Sequence, residues 1–454
     1  MTELLLKALA SQILMVAAGT ALLQVIAFRR KIRIWRILPS AWGMGMGLVY
    51  LTGYSCVKTG LGTGTWQMAT LILFGILMGA GVFCRMGARA SEPSAISPMT
   101  WYDMLIALVL VTKVLLIAYI LVNNPVIDSD ATNENRWMGL ARFIDATGKL
   151  PIIHDRFGPS LLPLWVSTFL PRWHDSLVSL PWLFNFLAVI GLAGVTTLTI
   201  TRNRTAALVV AYIYSAVPLI SVHVIRPGYS DFLITYLLMA GLSPLVVAMH
   251  AGKRLSPMQM VMILCGLAAC TLTKNEGIAW AALVFIMAAG YWCRSVLAVP
   301  WKTVLGIQAG FLVLGYIIYL FSSNYLYTHT FKNAGGHLKY VFQKTFDTHA
   351  LATFFQEVFL NGSFSLLWWL AGMAAVLLLL IRKSSLEARI ITVYSCCFFL
   401  VVAYLASFTG NAISTLAGGN VGRFLLQISG TAVPLFALAA KEVLIDRNTL
   451  SPES

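Results

Sequence analysis

About thirteen apolar stretches recur along this chain, each close to the roughly 20 residues a helix needs to cross the hydrocarbon core of a bilayer. They fall at 8–28, 38–57, 66–84, 103–122, 177–199, 205–222, 231–250, 257–273, 277–293, 302–322, 363–381, 390–408 and 424–440. Lipid offers no water to an open backbone, so each stretch is expected to close its own hydrogen bonds as a helix. The expected fold is therefore all-α, a polytopic integral membrane protein. A length of 454 residues would otherwise suggest two or three soluble domains. With 59% hydrophobic residues, 11% charged ones and a mean hydropathy of +0.80, a soluble surface could not be covered.

The charge balance, 32 Lys+Arg against 17 Asp+Glu, reads mostly as a topology signal. The run Arg29, Arg30, Lys31, Arg33 and Arg36 behind the first stretch places the amino terminus outside and that loop in the cytoplasm. Alternation then puts Arg85/Arg89, Arg202/Arg204, Lys253/Arg254, Arg294/Lys302 and Arg382/Lys383/Arg389 inside as well. Inner loops and tail hold 18 Lys/Arg against 6 Asp/Glu, and the outer side holds 13 against 11. The basic excess thus needs no nucleic-acid partner. The first stretch, flanked by Glu3 and Lys7 and lacking a small-residue cleavage site, is expected to stay as a membrane anchor. All seven cysteines lie in or beside apolar runs with no CxxC spacing, as small buried hydrophobes would.

Two long polar segments, 123–176 and 323–362, fall on the outer side. The first begins with Asp128 and Asp130 and continues into an amphipathic stretch, 134–147, with Trp137, Leu140, Ala141 and Ile144 on one face and Gly148 as a stop. That pattern predicts a helix on the membrane surface. The three helices before residue 100 precede this loop, so residues 1–100 form an amino-terminal module and 101–454 the main membrane domain.

Charged groups are costly at membrane depth, so those gathered at outer helix ends are the natural site candidates. Arg226 and Asp231 frame the phrase RPGYSD, and Lys274 and Glu276 occupy the short turn LTKNEG. Arg423 opens the last helix, and His337 lies in the second outer segment. Six of the seven histidines share this face. Each residue alone fits a cap or a solvated charge as readily as a functional group. Lys113, in mid-helix, requires a partner such as Asp103, an interface or a wet cavity.

Taken in order, the early Asp, the surface helix ending in GKLP, HDRFGPSLLPLW, RPGYSDFLITYLL, LTKNEGIAW and GGNVGRFLLQISGTAVPL resemble the GT-C class of membrane glycosyltransferases. The likeness is to bacterial members related to the protein O-mannosyltransferase and aminoarabinose transferase group, over roughly residues 104–440. It implies transfer of a sugar from a polyprenyl-phosphate donor to a lipid, glycan or protein acceptor at the outer face of the cytoplasmic membrane, with the first outer loop catalytic. Asp130 or Asp128 resembles the catalytic base in that loop, and Asp231 a second acidic position that orients donor or acceptor. Lys274 and Arg423 resemble phosphate-facing positions, with Glu276 fixing Lys274 or binding sugar hydroxyls. Arg226 and His337 join them by location. Two positions depart from the family pattern: Arg156 stands where an acid is usual, and Gln427 stands in place of a proline-containing phrase after Arg423. No cofactor is implied, and a divalent metal is left open at the acidic pair.

The chemistry is self-consistent, since an acceptor hydroxyl needs a carboxylate to take its proton and a departing lipid phosphate needs cations. The rival readings are a transporter or flippase of lipid-linked or anionic substrate, and a polysaccharide polymerase or ligase. A transporter would be expected to show internal repeats or paired broken helices, and no repeat is found.

Overall fold

The computed structural model describes residues 1–28, 33–86, 96–123, 136–150, 157–274, 276–310, 348–360, 362–380, 384–408 and 420–450. Among these residues the chain is all-helical, with no strand. Among the described residues eight helices are long and apolar enough to cross a membrane: Thr2–Ala27, Thr63–Met86, Trp101–Asn123, Asp175–Thr201, Asp231–His250, Glu276–Val296, Leu386–Tyr404 and Gly422–Leu444. A bent pair, Arg204–Ala216 and Pro218–Ile225, which meet at 63°, brings the number to nine when counted as one broken span. Pro257–Thr273 and Leu367–Leu380 are shorter apolar helices. The chain is a multi-pass helical membrane protein. Most of the 302–322 stretch lies outside the described residues, although 301–310 is helical.

In chain order the elements that matter here are α1 (Thr2–Ala27), α2 (Ile34–Lys58), α3 (Thr63–Met86), α4 (Trp101–Asn123), α5 (Arg136–Thr147), α6 (Gly158–Ser167), α7 (Asp175–Val178), α8 (Leu180–Thr201), α9 (Arg204–Ala216), α10 (Pro218–Ile225), α11 (Asp231–His250), α12 (Pro257–Thr273) and α13 (Glu276–Val296). Beyond them lie α14 (Thr348–Phe359), α15 (Leu367–Leu380), α16 (Leu386–Phe408), α17 (Asn420–Ile428) and α18 (Ala432–Leu450). Local chemistry sets several boundaries. Ser256 and Gln259 form a reciprocal capping box ahead of Pro257, and Asn203 accepts the Ala206 N–H to start α9. Pro218 cannot continue α9, and the chain bends there.

The central helix is α11. In its apolar window 94% of the residues are buried, against 11% in α4, so α11 is sheathed by protein while α4 faces outward. It packs on α2, α8, α12, α13 and α17. Helices α1–α3 share the same continuous core: Tyr236 of α11 donates to the Pro39 carbonyl at 2.6 Å and accepts the Gly43 N–H at 2.8 Å. Trp42 meets Tyr236 edge-on at 5.2 Å.

The polar loops sort into two ends of the bundle. At one end Arg254 donates to Ser295 O (3.1 Å), Tyr291 reaches Lys253 O (2.7 Å), Lys441 lies 2.6 Å from His250, and Ser97 donates to Arg202 O (3.2 Å). At the other end Tyr54 of α2 bonds Leu272 O of α12 (3.1 Å), and Thr63 N bonds Gly148 O (3.1 Å). The described basic residues Arg202, Lys253, Arg254 and Lys441 therefore share the first end.

Three expectations are corrected or refined. The amphipathic helix exists as α5, but Trp137, Ala141 and Ile144 are buried in the protein core, and the helix packs on α6. Lys113 does not meet Asp103; its ammonium donates to the Ser215 carbonyl, beside the α9–α10 bend, where Pro218 interrupts the helix ladder. None of the seven cysteines forms a disulfide, yet only Cys56 and Cys270 are buried and Cys397 is exposed.

Candidate functional site

Asp231 is fully buried, and as the first residue of α11 it sits where the helix dipole favours negative charge. An ionised carboxylate so far from water needs strong partners. It has three. Lys274 Nζ lies 3.1 Å from Oδ1, Arg423 Nε lies 2.9 Å from Oδ2, and the Gln427 amide donates to Oδ1. These partners come from α12's end and from α17, 43, 192 and 196 residues away.

Each helix end is built to deliver its group. Lys274 follows α12 in extended conformation, and Glu276 begins α13, so the chain reverses within the TKNEG turn. Gly277 makes that reversal feasible: a Cβ there would stand 2.1 Å from the Cys270 carbonyl oxygen, inside α12's last turns. In the RPGYSD turn Gly228 holds φ at 113°, a conformation that side chains resist. Trp182 of α8 donates to Tyr229 O at 3.1 Å and Asn185 donates to Phe232 O at 3.0 Å, fixing the entry to α11. Thr235 donates to Leu426 O at 2.8 Å and ties α11 to α17.

The remaining contacts extend the cluster. Glu276 Oε1 is 3.6 Å from Lys274 Nζ, while its Oε2 is buried with no hydrogen-bond partner among the described residues. Trp280, one turn on from Glu276, donates to Gln427 Oε1 at 2.5 Å. Gln427 in turn lies one turn on from Arg423. Two helices thus each contribute a pair at i and i+4: Glu276 with Trp280, and Arg423 with Gln427. His223 is buried, stands edge-on to Tyr229 at 5.1 Å, and lies close enough to Asp231, Arg423 and Lys274 to feel their charges. Its Nδ1 is buried without a hydrogen-bond partner among the described residues.

Of the residues singled out from sequence, Asp231, Lys274, Glu276 and Arg423 come together. Arg226 closes α10 nearby and is exposed. Asp128, Asp130 and His337 lie outside the described residues. Sequence reasoning missed Gln427, Trp280 and His223 as members of the cluster. The i, i+4 spacing from Arg423 and Glu276 was the available signal for the first two, and for His223 its position eight residues before Asp231. Among the described residues no group of three His, Cys, Asp or Glu side chains gathers as metal ligands.

Chemically, Asp231 is poorly placed to act as a free base, because both its oxygens already accept from cations or an amide. It fixes the Lys274 ammonium and the Arg423 guanidinium against each other. Two cations meet one fully buried carboxylate, and the second carboxylate, Glu276, is one-third exposed. Such a cluster can receive a further anionic group, and the open oxygen of Glu276 and ring nitrogen of His223 can bond polar hydrogens or hydroxyls beside it. Comparison with protein-family models, with curated proteins and with solved structures yields no match.

Proposed function

We propose that the chain is a GT-C-type glycosyltransferase that takes a sugar from a polyprenyl-phosphate donor and passes it to a lipid, glycan or protein acceptor. The observation that carries this reading is the convergence of Lys274, Arg423 and Gln427 on buried Asp231 from sequence-distant helix ends. Leaving-group chemistry explains it: a lipid phosphate that departs from the anomeric carbon gathers negative charge, and preorganised cations lower that barrier. Lys274 and Arg423 are the phosphate-facing groups, Asp231 positions them, and Glu276 and His223 flank the sugar. The acceptor's proton goes to Asp130 or Asp128 of the first outer loop.

In this reading the chain crosses the cytoplasmic membrane about thirteen times, the basic end faces the cytoplasm and the Asp231 cluster faces outward. Helix α5, docked through its apolar stripe, caps the outer end at the membrane surface. The transport alternative gains nothing from Lys113, whose ammonium is taken by a backbone carbonyl.

The test is transfer from labelled polyprenyl-phosphate sugars in membranes carrying wild type, Asp130→Asn, Asp128→Asn or Asp231→Asn at equal protein level. Loss with Asp231→Asn and with one of the loop variants is expected. Unchanged turnover in all three variants removes the reading. Labelling of Asp155→Cys and Asn275→Cys in a background freed of native cysteines reports the side. Both are expected to react from outside, and reaction only from the cytoplasm inverts the orientation.

A further inference from the structure

At the end of the bundle opposite Asp231, a cavity of about 310 Å³ opens between α2, α8, α11 and α12. That volume is at the lower edge of ordinary ligand pockets. The wall is largely hydrocarbon, with Leu192, Val195, Val247, Met258 and Met262 among the lining residues. Thr199, which also lines it, spends its hydroxyl on the Val195 carbonyl at 2.7 Å. Arg33, the N-cap of α2, and Arg36, on its first turn, are the ionisable groups among the described residues of the lining. Arg33 and Arg202 both lie near enough to Arg36 to repel it, so an anion brought there relieves like-charge repulsion.

We infer that this cavity is a binding site for an anionic phospholipid, whose phosphate sits between Arg33 and Arg36 and whose acyl chain lies along Val195, Val247 and Met262. A free phosphate would gain from the arginines but leave the hydrocarbon wall unused. A zwitterionic lipid would use the wall but gain less at the arginines. An amphiphile with a net negative head matches both halves, as basic pockets between membrane helices do for acidic headgroups. The site is separate from the Asp231 cluster: Val247 stands 16 positions after Asp231 along α11, about 24 Å at 1.5 Å per residue. It rests on the membrane reading and not on the transferase reading, so either can fail without the other.

The experiment is native mass spectrometry of the full chain in neutral detergent, titrated with phosphatidylglycerol or phosphatidylcholine. Wild type is expected to retain phosphatidylglycerol over phosphatidylcholine by roughly thirty-fold, the effect of two arginines near an acidic headgroup. Arg33→Gln/Arg36→Gln should lose that preference, Arg33→Lys/Arg36→Lys should keep most of it, and Lys253→Gln/Arg254→Gln, in a basic loop at the same end, should behave as wild type. Excess inorganic phosphate should not displace the lipid. Equal retention of both lipids by wild type, an undiminished preference in the Gln variant, or displacement by inorganic phosphate each overturns the proposal. Should the Gln variant not fold, Met262→Trp, which fills the cavity and leaves both arginines, must lower phosphatidylglycerol retention. Retention equal to wild type in that variant is equally fatal.

Discussion

Two buried aspartates stand at helix starts on opposite ends of the bundle, and they are satisfied in opposite ways. Asp103 of α4 accepts the Thr100 N–H at 2.8 Å and the Thr205 hydroxyl at 2.7 Å, while its own N–H bonds the Thr100 hydroxyl at 3.3 Å. Two of its three bonds are local and all its partners are neutral, which is how a chain closes a helix end. Asp231 has two cations and an amide brought from helices far along the sequence. Burying three charges is not an efficient way to stabilise a bundle, because apolar side chains of similar volume do as well or better. A cluster whose assembly is poorly justified by stability is better explained by what it binds.

The widest gap should appear in activity. Asp231→Asn is expected to lower transfer at least about 100-fold, the scale of a lost preorganised electrostatic group, while Asp103→Asn stays near wild type. Equal losses in the labelled-donor assay would erase the distinction. Next comes stability. Lys274→Met or Arg423→Met leaves a buried carboxylate one cation short, a cost of about 3–5 kcal/mol read as a lower melting temperature in detergent. Adding Asp231→Asn to either variant should recover part of that loss, and no recovery would mean the pairing is not what the substitution broke.

Smaller effects sharpen the contrast. Gln427→Leu removes a hydrogen bond to a charged group and should cost about 1.5–3 kcal/mol by the same melting measurement. Thr205→Val removes one neutral bond to Asp103 and should cost about 1 kcal/mol without altering transfer. A larger loss at Thr205 than at Gln427 would reverse the assigned roles.

The sequence carries much of this and hides the rest for identifiable reasons. A bilayer fixes hydrophobic length, so helices such as α4 and α11 are plain from composition alone, while eight of the about thirteen expected spans are long and apolar enough among the described residues. Their burial is not, since lipid-facing and protein-facing apolar residues look alike, and nothing in a run of apolar letters separates exposed α4 from enclosed α11. The grouping of Asp231, Lys274, Glu276 and Arg423 was legible because charges at span ends on one face had to lie at one end of the bundle. Gln427 drew notice only as a departure from a family phrase, yet it bonds the central carboxylate. An uncharged side chain inside an apolar helix gives no cost signal strong enough to single it out. The stripe on α5 was read correctly and its partner was not, because amphipathicity shows that a face is covered without showing by what.

The most direct test removes the cluster's charges without stranding any of them. In Asp231→Asn/Lys274→Met/Glu276→Gln/Arg423→Met all four charges of the cluster are removed together, so the account predicts a melting temperature near that of wild type together with loss of sugar transfer from the labelled polyprenyl-phosphate donor. A quadruple variant that folds and still transfers sugar at the wild-type rate would contradict it.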